Sequence, residues 1–512
     1  MKLTLLSTSD THGYIYPTDF KNLNENNAPF GVSRAASVIE NERKNADGPV
    51  ITIELGDFLQ GSALATYLAK KNSSNIVNAY NQIQYDFGLL GNHEFNYGQK
   101  FLKNALNKTN YPILCANITD DNNNCVYGIP YFIKSFNEIK VAFIGLTTAY
   151  IPHWESPEHI KNLKFHSIVK VLKSIIPEIH KKADIIVVCY HGGFERDIET
   201  GKLVSSGIEN EGYELLHTVH HIDALLTGHQ HKIICGKLCD VPVTQPGYRG
   251  EYVGKIVLDI QKNKDGKYNV NNSTANLIPT KNFTPKKNVL CSIHNEENQT
   301  ENWLEQPIGK INGTMHINNP FDARLHGCPY ITLINKIQMD KMQTDISCTS
   351  LFTDQCTGFN SEITMRDILM NYIYTNSLVS EKITGTDLKA ALEKNAKYFT
   401  INNGKIEVDP NFGRSYNYDI YEGINYVIDI RKPFGNRVVK MTYHNHDIKP
   451  NESLTLALCQ YRGVGGGNYN MFSANKIIKS VNDDMMTIIA DYIKKHSPLI
   501  PQIDNNFIIK YN

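Results

Sequence analysis

The sequence has no long apolar run and no excess of charge of either sign. No stretch of its 512 residues approaches the roughly 18 to 20 consecutive apolar residues that a membrane helix needs. The 52 basic residues balance the 52 acidic ones before His is counted, so no overall field favours a nucleic acid duplex or an acidic membrane surface. These absences favour a globular protein with a small-molecule partner and no membrane association, and we expect a monomer or weak dimer.

Paired cysteines of the zinc-binding kind are also missing. The ten Cys are scattered, and the closest two, Cys235 and Cys239, do not form a CxxC couple. The apolar stretch at residues 3–6 is too short for a secretory signal, and no cleavage site follows it. We therefore expect reduced thiols and a cytoplasmic protein, although a signal removed upstream would leave the same start.

Strands alternate with helices in the first half of the chain. Leu3 to Leu6 and Pro49 to Leu55 are apolar runs typical of buried strands, and Val32 to Arg43 has helical spacing. This alternation predicts an α/β fold in which one sheet is covered by helices on both faces. Because 512 residues exceed what one hydrophobic core usually supports, we expect at least two domains.

Five polar motifs follow apolar runs that are predicted strands. They are Asp10-Thr11-His12, Gly56-Asp57-Phe58-Leu59-Gln60-Gly61-Ser62, Gly91-Asn92-His93-Glu94, His191-Gly192-Gly193 and Gly228-His229-Gln230-His231. Each motif alone could be a turn, a helix cap or a hydrogen-bonded core His. In α/β sheets, however, ligands gather beyond the carboxyl ends of the strands. The joint placement of the five motifs at strand ends therefore favours one assembled site.

The side chains in these motifs form a set of nitrogen and oxygen ligands. The candidate metal ligands are Asp10, His12, Asp57, Asn92, His191, His229 and His231. Such a set suits two divalent ions such as Mn, Zn, Co or Fe better than Mg, which prefers oxygen ligands. Two ions roughly 3.5–4 Å apart would clamp a phosphoryl oxygen and generate a hydroxide for in-line attack on phosphorus. The motifs therefore predict metal-dependent hydrolysis of a phosphoester.

In this order, the five motifs resemble those of the calcineurin-like metallophosphoesterase superfamily, and specifically its 5′-nucleotidase family. Two later stretches, Lys382–Lys389 and Tyr461–Asn468, resemble the C-terminal nucleotide-binding domain of that family. The resemblance implies an α/β (α+β) protein with a four-layer α/β/β/α metallophosphoesterase domain over residues 1–308. It also implies a linker over 309–323 and a base-binding domain over 324–512.

The resemblance also implies a role for each site residue. One metal would be held by Asp10, His12, Asp57 and His231, and the other by Asp57, Asn92, His191 and His229. His93 would stabilise the transition state and protonate the leaving oxygen, in an orientation set by the residue three positions later. That residue is Asn96, where the 5′-nucleotidases have Asp. An amide stabilises a charged imidazole less than a carboxylate does, so this catalytic pair is weaker than the usual one.

A nucleotide base would bind in the C-terminal domain. Tyr374 and Tyr461 match the two aromatic rings that stack on the base in this family, and Asn468 is a third candidate substrate-binding residue. Stacking contributes about 1–3 kcal/mol per base and tolerates different bases. Because aromatic pairs are common in cores, both tyrosines could instead be structural.

One departure from the family bears on the substrate. The 5′-nucleotidases carry an Asn-Gly-Gly-Gly-Ile-Arg stretch whose Asn and Arg bind nucleotide, whereas the equivalent region here, Ser347–Phe352, has no Arg. Four stretches resemble the 2′,3′-cyclic-nucleotide 2′-phosphodiesterase/3′-nucleotidase branch instead, which is usually exported. They are Ser350–Phe352, Asn92–Gly98, Tyr416–Asp419 with Gly423, and Tyr461-Arg462 before a Gly triplet. We therefore expect that activity. The alternatives are a 5′-nucleotidase or nucleotide-sugar hydrolase, and a non-catalytic nucleotide-binding protein.

Overall fold

A computed structural model describes residues 1–205, 207–374 and 376–511. The chain divides into two compact units, Met1–Glu301 and Asn302–Asn512. Residues 309–323, for which the sequence predicts a linker, hold the end of one strand, a second short strand and the start of a helix. Asn312, Gly313, Asn318 and Asn319 lie between those short elements. None of the helices in the described ranges combines the length and the apolar character of a membrane span.

The first unit is built from two large sheets, one small two-stranded sheet and the helices between their strands. Its strands are β1 (Lys2–Thr8), β2 (Val50–Glu54), β3 (Phe87–Gly88), β4 (Ile118–Thr119), β5 (Tyr131–Phe136), β6 (Ile139–Thr147), β7 (Lys164–Phe165), β8 (Ile185–His191), β9 (Ala224–Thr227), β10 (Ile233–Leu238), β11 (Val241–Pro246), β12 (Tyr252–Lys262) and β13 (Tyr268–Pro279). The helices as far as residue 304 are α1 (Val32–Asn45), α2 (Ala63–Lys70), α3 (Val77–Asn81), α4 (Gly98–Leu106), α5 (Ile168–Ile179), α6 (Gly212–Thr218), α7 (Lys287–Cys291) and α8 (His294–Leu304).

Two sheets stack face to face in this unit. Their strand orders are β13-β12-β1-β2-β3 and β10-β11-β9-β8-β6-β5. One apolar core contains side chains from both sheets, such as Leu5 and Ile53 from the first and Val187 from the second. The other face of the second sheet packs on α5 and α6 through Leu172 and Leu215, and α1 packs beside β12 of the first sheet. The predicted four-layer α/β/β/α architecture is confirmed.

The expectation of one sheet with helices on both faces is wrong. Strand β8 is buried along its whole length, and β6 is buried except at Lys140. Such strands have nearly continuous apolar sequences whether a helix or a second sheet covers them. Their sequences could therefore not distinguish a helix from a facing sheet as the second layer.

Strand direction places the five polar motifs together. Strands β1, β2 and β3 are parallel to one another, and so are β6, β8 and β9. The motifs follow β1, β2, β3 and β9 and, at His191, include the last residue of β8. All five therefore lie at the carboxyl ends of their strands, as the sequence predicts.

The second unit has its own sheets and core. Its strands are β14 (Pro307–Lys310), β15 (Met315–His316), β16 (Ile346–Ser350), β17 (Gly358–Phe359), β18 (Glu362–Thr364), β19 (Ser377–Thr384), β20 (Phe399–Asn402), β21 (Lys405–Val408), β22 (Asp419–Glu422), β23 (Asn425–Asp429), β24 (Val438–Tyr443), β25 (His446–Asp447), β26 (Ser453–Cys459), β27 (Ile477–Asp484) and β28 (Phe507–Lys510). Its helices are α9 (Pro320–His326), α10 (Pro329–Met342), α11 (Met365–Asn371), α12 (Gly385–Asn395), α13 (Gln460–Gly463) and α14 (Met485–His496).

The main sheet of the second unit has the strand order β22-β16-β26-β19-β27. Helix α12 begins directly after β19 with a capping box. The side chain of Thr384 accepts a hydrogen bond from the backbone N–H of Asp387, and the side chain of Asp387 accepts one from the backbone N–H of Thr384. A buried ion pair joins Arg462 to Asp419, with Nε at 2.7 Å from Oδ2. This pair ties the start of the glycine-rich stretch 463–467 to the edge strand β22.

Candidate metal centre

Five of the seven proposed ligands lie on tightly turned backbone at the strand ends. Asp10, His12, Asp57, His229 and His231 all have positive φ angles, between 49° and 71°. Non-glycine residues rarely adopt this left-handed region, and such strain clusters at functional sites where the surrounding structure maintains it. The strained turns direct side chains from separate strands toward common centres.

Asp10, His12 and His231 form the first group. Their ligand atoms lie within 4.8 Å of one another. The Nε2 atoms of His12 and His231 are 2.9 Å apart, and His231 Nε2 is 3.5 Å from Asp10 Oδ1. His12 donates from Nδ1 to the carbonyl oxygen of Gln60 at 2.8 Å. That bond fixes the tautomer in which Nε2 offers its lone pair to the group.

Asp57, His191 and His229 form the second group, also within 4.8 Å. His191 donates from Nδ1 to the carbonyl oxygen of Leu55 at 2.7 Å. Its Nε2 is buried, lies 3.2 Å from Asp57 Oδ2 and makes no hydrogen bond among the described residues. A buried ring nitrogen in this state is one that a cation would satisfy.

Asn92 and His229 are direct neighbours. The Oδ1 atom of Asn92 lies 2.8 Å from His229 Nδ1, and Glu209 Oε1 lies 3.0 Å from the other ring nitrogen, Nε2. The backbone N–H of His229 donates to the carboxylate of Asp10 at 2.9 Å. The loop after β9 therefore links the two groups.

The electrostatic influence of Asp57 extends to both groups. Burial alone would lower the pKa of His191, but the carboxylates of Asp57 and Asp10 raise it to about 10. Burial lowers the pKa of His12 to about 4 and that of His231 well below its usual value, and Asp57 opposes both effects. His12 and His231 are therefore neutral imidazoles at pH 7, the form that binds a metal, whereas His191 would release a proton when an ion binds.

Buried Glu94 holds the turn that carries Asp57. Its carboxylate accepts four backbone hydrogen bonds, from Asp57, Phe58 and Leu59 and from Gly91, at 2.6–3.1 Å. The backbone of Gly91 lies so close to Asp57 that a Cβ at position 91 would be 2.2 Å from Asp57 Oδ1. The Glu of the Gly-Asn-His-Glu motif is thus a structural residue that positions Asp57.

His93 lies beside the second group but outside it. Its backbone N–H donates to Asp57 Oδ1 at 2.8 Å, and its ring centroid is 5.3 Å from that of His12. Its Nδ1 atom is 2.7 Å from Oδ1 of Asn96. Asn96 therefore contacts the ring of His93. Its position is the one to which the resemblance assigns the residue that orients this ring.

Sequence reasoning missed several residues around the centre. The Gly-Asn-His-Glu motif contains Glu94, but the support that Glu94 gives to the Asp57 turn was not predicted, and Glu209 and Tyr248 had no signal because no motif contains them. The ring of Tyr248 stacks on that of His231, with centroids 4.9 Å apart and planes at 6°. Such neighbours arise from loops that only the folded chain brings together.

The predicted base-binding residues lie in the second unit. Tyr374 is 39% exposed and packs edge-on against Phe352 and Tyr416, at 5.5 and 5.8 Å between ring centroids. Tyr461 is partly exposed at the start of α13, and Asn468 is exposed with a φ of 62°. Tyr374 is thus accessible enough for a stacking role, and Tyr416 is a neighbouring ring that the sequence did not identify as part of this site.

The two groups fit a pair of divalent ions. Their donors are carboxylate oxygens and imidazole nitrogens, and the amide oxygen of Asn92 lies beside His229 of the second group. This set is typical of borderline divalent metals. All ten cysteines are free, and none belongs to either group. The structure thus has two candidate metal-binding groups, as the prediction of two divalent ions requires.

Comparison with known proteins assigns the two halves of the chain. Residues 3–233 match the calcineurin-like phosphoesterase family, and residues 307–474 match the 5′-nucleotidase C-terminal domain. A Staphylococcus aureus protein, described provisionally as a 5′-nucleotidase and crystallised with alpha-ketoglutarate, is 37% identical, with a TM-score of 0.90 and 100% of both chains covered.

Two curated relatives match almost all of this chain. The 2′,3′-cyclic-nucleotide 2′-phosphodiesterase/3′-nucleotidase of Haemophilus influenzae is 28% identical over 99% of this chain and 87% of its own length. The trifunctional nucleotide phosphoesterase protein YfkN of Bacillus subtilis is 26% identical over 99% of this chain, which spans only 39% of that longer protein. The sequence-based family assignment is confirmed: the chain belongs to the 5′-nucleotidase family of calcineurin-like phosphoesterases.

Proposed function

We propose that this protein is a metal-dependent phosphohydrolase of nucleotides that acts as a 2′,3′-cyclic-nucleotide 2′-phosphodiesterase/3′-nucleotidase. The observation that carries the proposal is the pair of ligand groups beside His93, with the carboxylate of Asp57 in one group and electrostatically coupled to the other. The solved structure of a relative supports the fold, and the geometry of the ligand groups supports metal-dependent hydrolysis.

Asp10, His12, Asp57 and His231 would hold one ion, and Asp57, Asn92, His191 and His229 the other. When bound, a pair of divalent ions neutralises charge on the phosphoryl group and activates water for attack on phosphorus. We propose Mn, Zn, Co or Fe on the basis of the donor set. His93 donates a proton to the leaving oxygen, and the contact between Asn96 and its Nδ1 keeps its ring in place for that step.

The preference for a cyclic diester rests on charge. A 2′,3′-cyclic phosphate carries one negative charge, whereas a terminal 5′-phosphate carries nearly two and benefits more from a guanidinium partner. The region Ser347–Phe352 has no Arg. Arg324 donates to the carbonyl oxygen of Leu351, but it is 1% exposed and paired with Asp354. It therefore does not provide an accessible guanidinium.

We expect kcat/KM for 2′,3′-cyclic AMP to exceed that for 5′-AMP by about 10-fold or more, since a hydrogen bond to a charged group contributes about 1.5–3 kcal/mol. The 3′-nucleotide should also be hydrolysed. A side-by-side panel of 5′-, 3′- and 2′,3′-cyclic nucleotides and nucleotide sugars with added Mn measures this directly. A strong preference for 5′-AMP or a nucleotide sugar would instead support the second candidate, a 5′-nucleotidase, which the name of the Staphylococcus aureus relative favours.

We further propose Tyr374, Tyr461 and Asn468 as nucleotide-binding residues. Tyr374→Ala and Tyr461→Ala should each raise KM for nucleotides about 10-fold, because base stacking contributes about 1–3 kcal/mol. Bis(p-nitrophenyl) phosphate has no base, so its KM should not change. Phe434→Ala removes another exposed ring of the same unit (52% exposed) and is the matched control. Equal KM values for wild type and both Tyr variants would rule out the stacking role.

A further inference from the structure

The segment that follows β6 lies against the metal centre. The ring centroid of Trp154 is 5.3 Å from that of His229, so the next residue, Glu155, is close to the site without belonging to either ligand group. No motif in the sequence marks Glu155. Its side chain is 8% exposed, which is unusual for a carboxylate unless it is paired.

The carboxylate of Glu155 makes three hydrogen bonds. Oε2 accepts from the side-chain amide Nδ2 of Asn96 at 2.7 Å. Oε1 accepts from the backbone N–H of Ser156 and faces Nδ1 of His159, both at 2.8 Å. Each oxygen therefore has a donor, and the bond to Asn96 extends the contact between Asn96 and His93.

This geometry fixes the orientation of the Asn96 amide. A side-chain amide could in principle lie either way, with its oxygen or its NH2 group toward His93. A carboxylate only accepts hydrogen bonds, so Glu155 requires the NH2 group on its own side. The oxygen of Asn96 must then face His93, and Nδ1 of His93 must donate to it at 2.7 Å.

We propose that Glu155 is a positioning residue for the leaving-group proton transfer, acting through Asn96 to hold His93 in the tautomer with hydrogen on Nδ1. To act as the acid, the ring carries a second hydrogen on Nε2. It passes that proton to the leaving oxygen, and the neutral ring that remains is the tautomer with hydrogen on Nδ1. The inference rests on the proposed function of His93 as the proton donor. An Asp at position 96 would place a carboxylate directly on His93. Here the carboxylate belongs to Glu155, and the side chain of Asn96 lies between it and His93.

The variant Glu155→Gln tests this role because its amide changes the hydrogen-bond polarity with little change of shape. The backbone N–H of Ser156 is a fixed donor, so the oxygen of the new amide stays on it and its NH2 group faces Asn96. Asn96 must then turn over and present its own NH2 group to His93, which favours the wrong tautomer. Complete loss of general acid catalysis typically lowers the rate 10²- to 10⁴-fold. A tautomer that is only disfavoured should lower it less, by about 10- to 100-fold.

The readout compares two leaving groups. The sugar alkoxide of 2′,3′-cyclic AMP needs a proton, whereas p-nitrophenolate leaves from bis(p-nitrophenyl) phosphate without one. Glu155→Gln should lower kcat about 10- to 100-fold for the cyclic nucleotide and less than about 3-fold for the nitrophenyl ester. KM and the bound metal per chain should stay at the wild-type values. Glu158→Gln, at a side chain that is 79% exposed, is the matched control and should behave as wild type with both substrates.

A swap of the two residues provides the decisive comparison. Asn96→Asp alone brings two carboxylates together and should also lower kcat for the cyclic nucleotide. The double variant, Asn96→Asp with Glu155→Gln, satisfies every hydrogen bond again. Its carboxylate at position 96 accepts both from His93 and from the amide at position 155, so most of the lost rate should return.

Recovery in the double variant, together with a loss confined to the alkoxide leaving group, supports the positioning role. Equal losses with both substrates, or no recovery on swapping, would show that Glu155 only maintains the local fold and would overturn the inference. A wild-type, metal-loaded protein that cleaves neither substrate would overturn the proposed function itself, and the role of Glu155 with it.

Discussion

Asp57→Asn should lower kcat/KM for bis(p-nitrophenyl) phosphate by at least about 10³-fold, because charge stabilisation by the metals contributes several kcal/mol to the transition state. Burial alone would raise the pKa of Asp57, but His191 and His93 hold it well below its usual value, so the wild-type side chain is a carboxylate at any working pH. The amide keeps the shape but removes the negative charge on which both ligand groups depend. Steady-state kinetics with excess Mn measures the loss.

Metal analysis of the same samples identifies the cause. The variant should retain fewer divalent ions per folded chain than wild type, whereas Asp47→Asn should retain both metal and activity. Asp47 is 78% exposed and pairs with Lys2 on the surface. A variant at position 57 with full metal content and wild-type turnover would show that Asp57 is not a shared ligand.

Glu94→Ala should destabilise the first unit by about 4 kcal/mol or more, since each buried donor left without a partner costs about 1–3 kcal/mol. Four backbone N–H groups lose their acceptor in this variant, and the turn that carries Asp57 loses its support. Glu94→Gln should fall between wild type and Glu94→Ala, because its single oxygen still accepts from some of these donors.

Urea unfolding, monitored by tryptophan fluorescence, can measure the loss of stability in the first unit alone. The chain has two Trp residues, Trp154 in the first unit and Trp303 in the second, so Trp303→Phe leaves a reporter in the first unit alone. Glu178→Ala is the control, because that side chain is 62% exposed and makes a surface pair with Lys181 of small energetic value. An unchanged unfolding midpoint for Glu94→Ala would contradict the structural role of Glu94.

The sequence was sufficient for the parts of the centre that lie next to strands. Asp10, Asp57 and His229 follow apolar runs whose ends are visible in the sequence, so the position of each residue at the carboxyl end of its strand could be predicted. The second sheet could not, since β8 has the same apolar character whether it faces a helix or β-strands.

The neighbours of the ligands were beyond sequence reasoning. Glu155 and Glu209 lie in loops with no periodic pattern, and their partners Asn96 and His229 are 59 and 20 residues away in the chain. Only tertiary packing creates these contacts. The departure at Asn96 was visible in the sequence, but the carboxylate behind it was not.

The dinuclear centre is tested most directly by counting metal ions on the purified, folded protein while its phosphodiesterase activity is measured before and after chelation. We expect two divalent ions per chain, no hydrolysis of bis(p-nitrophenyl) phosphate after both are removed, and recovery when Mn is restored. Full activity in the metal-free protein would contradict the assignment of Asp10, His12, Asp57, Asn92, His191, His229 and His231 as the ligands of a catalytic metal centre.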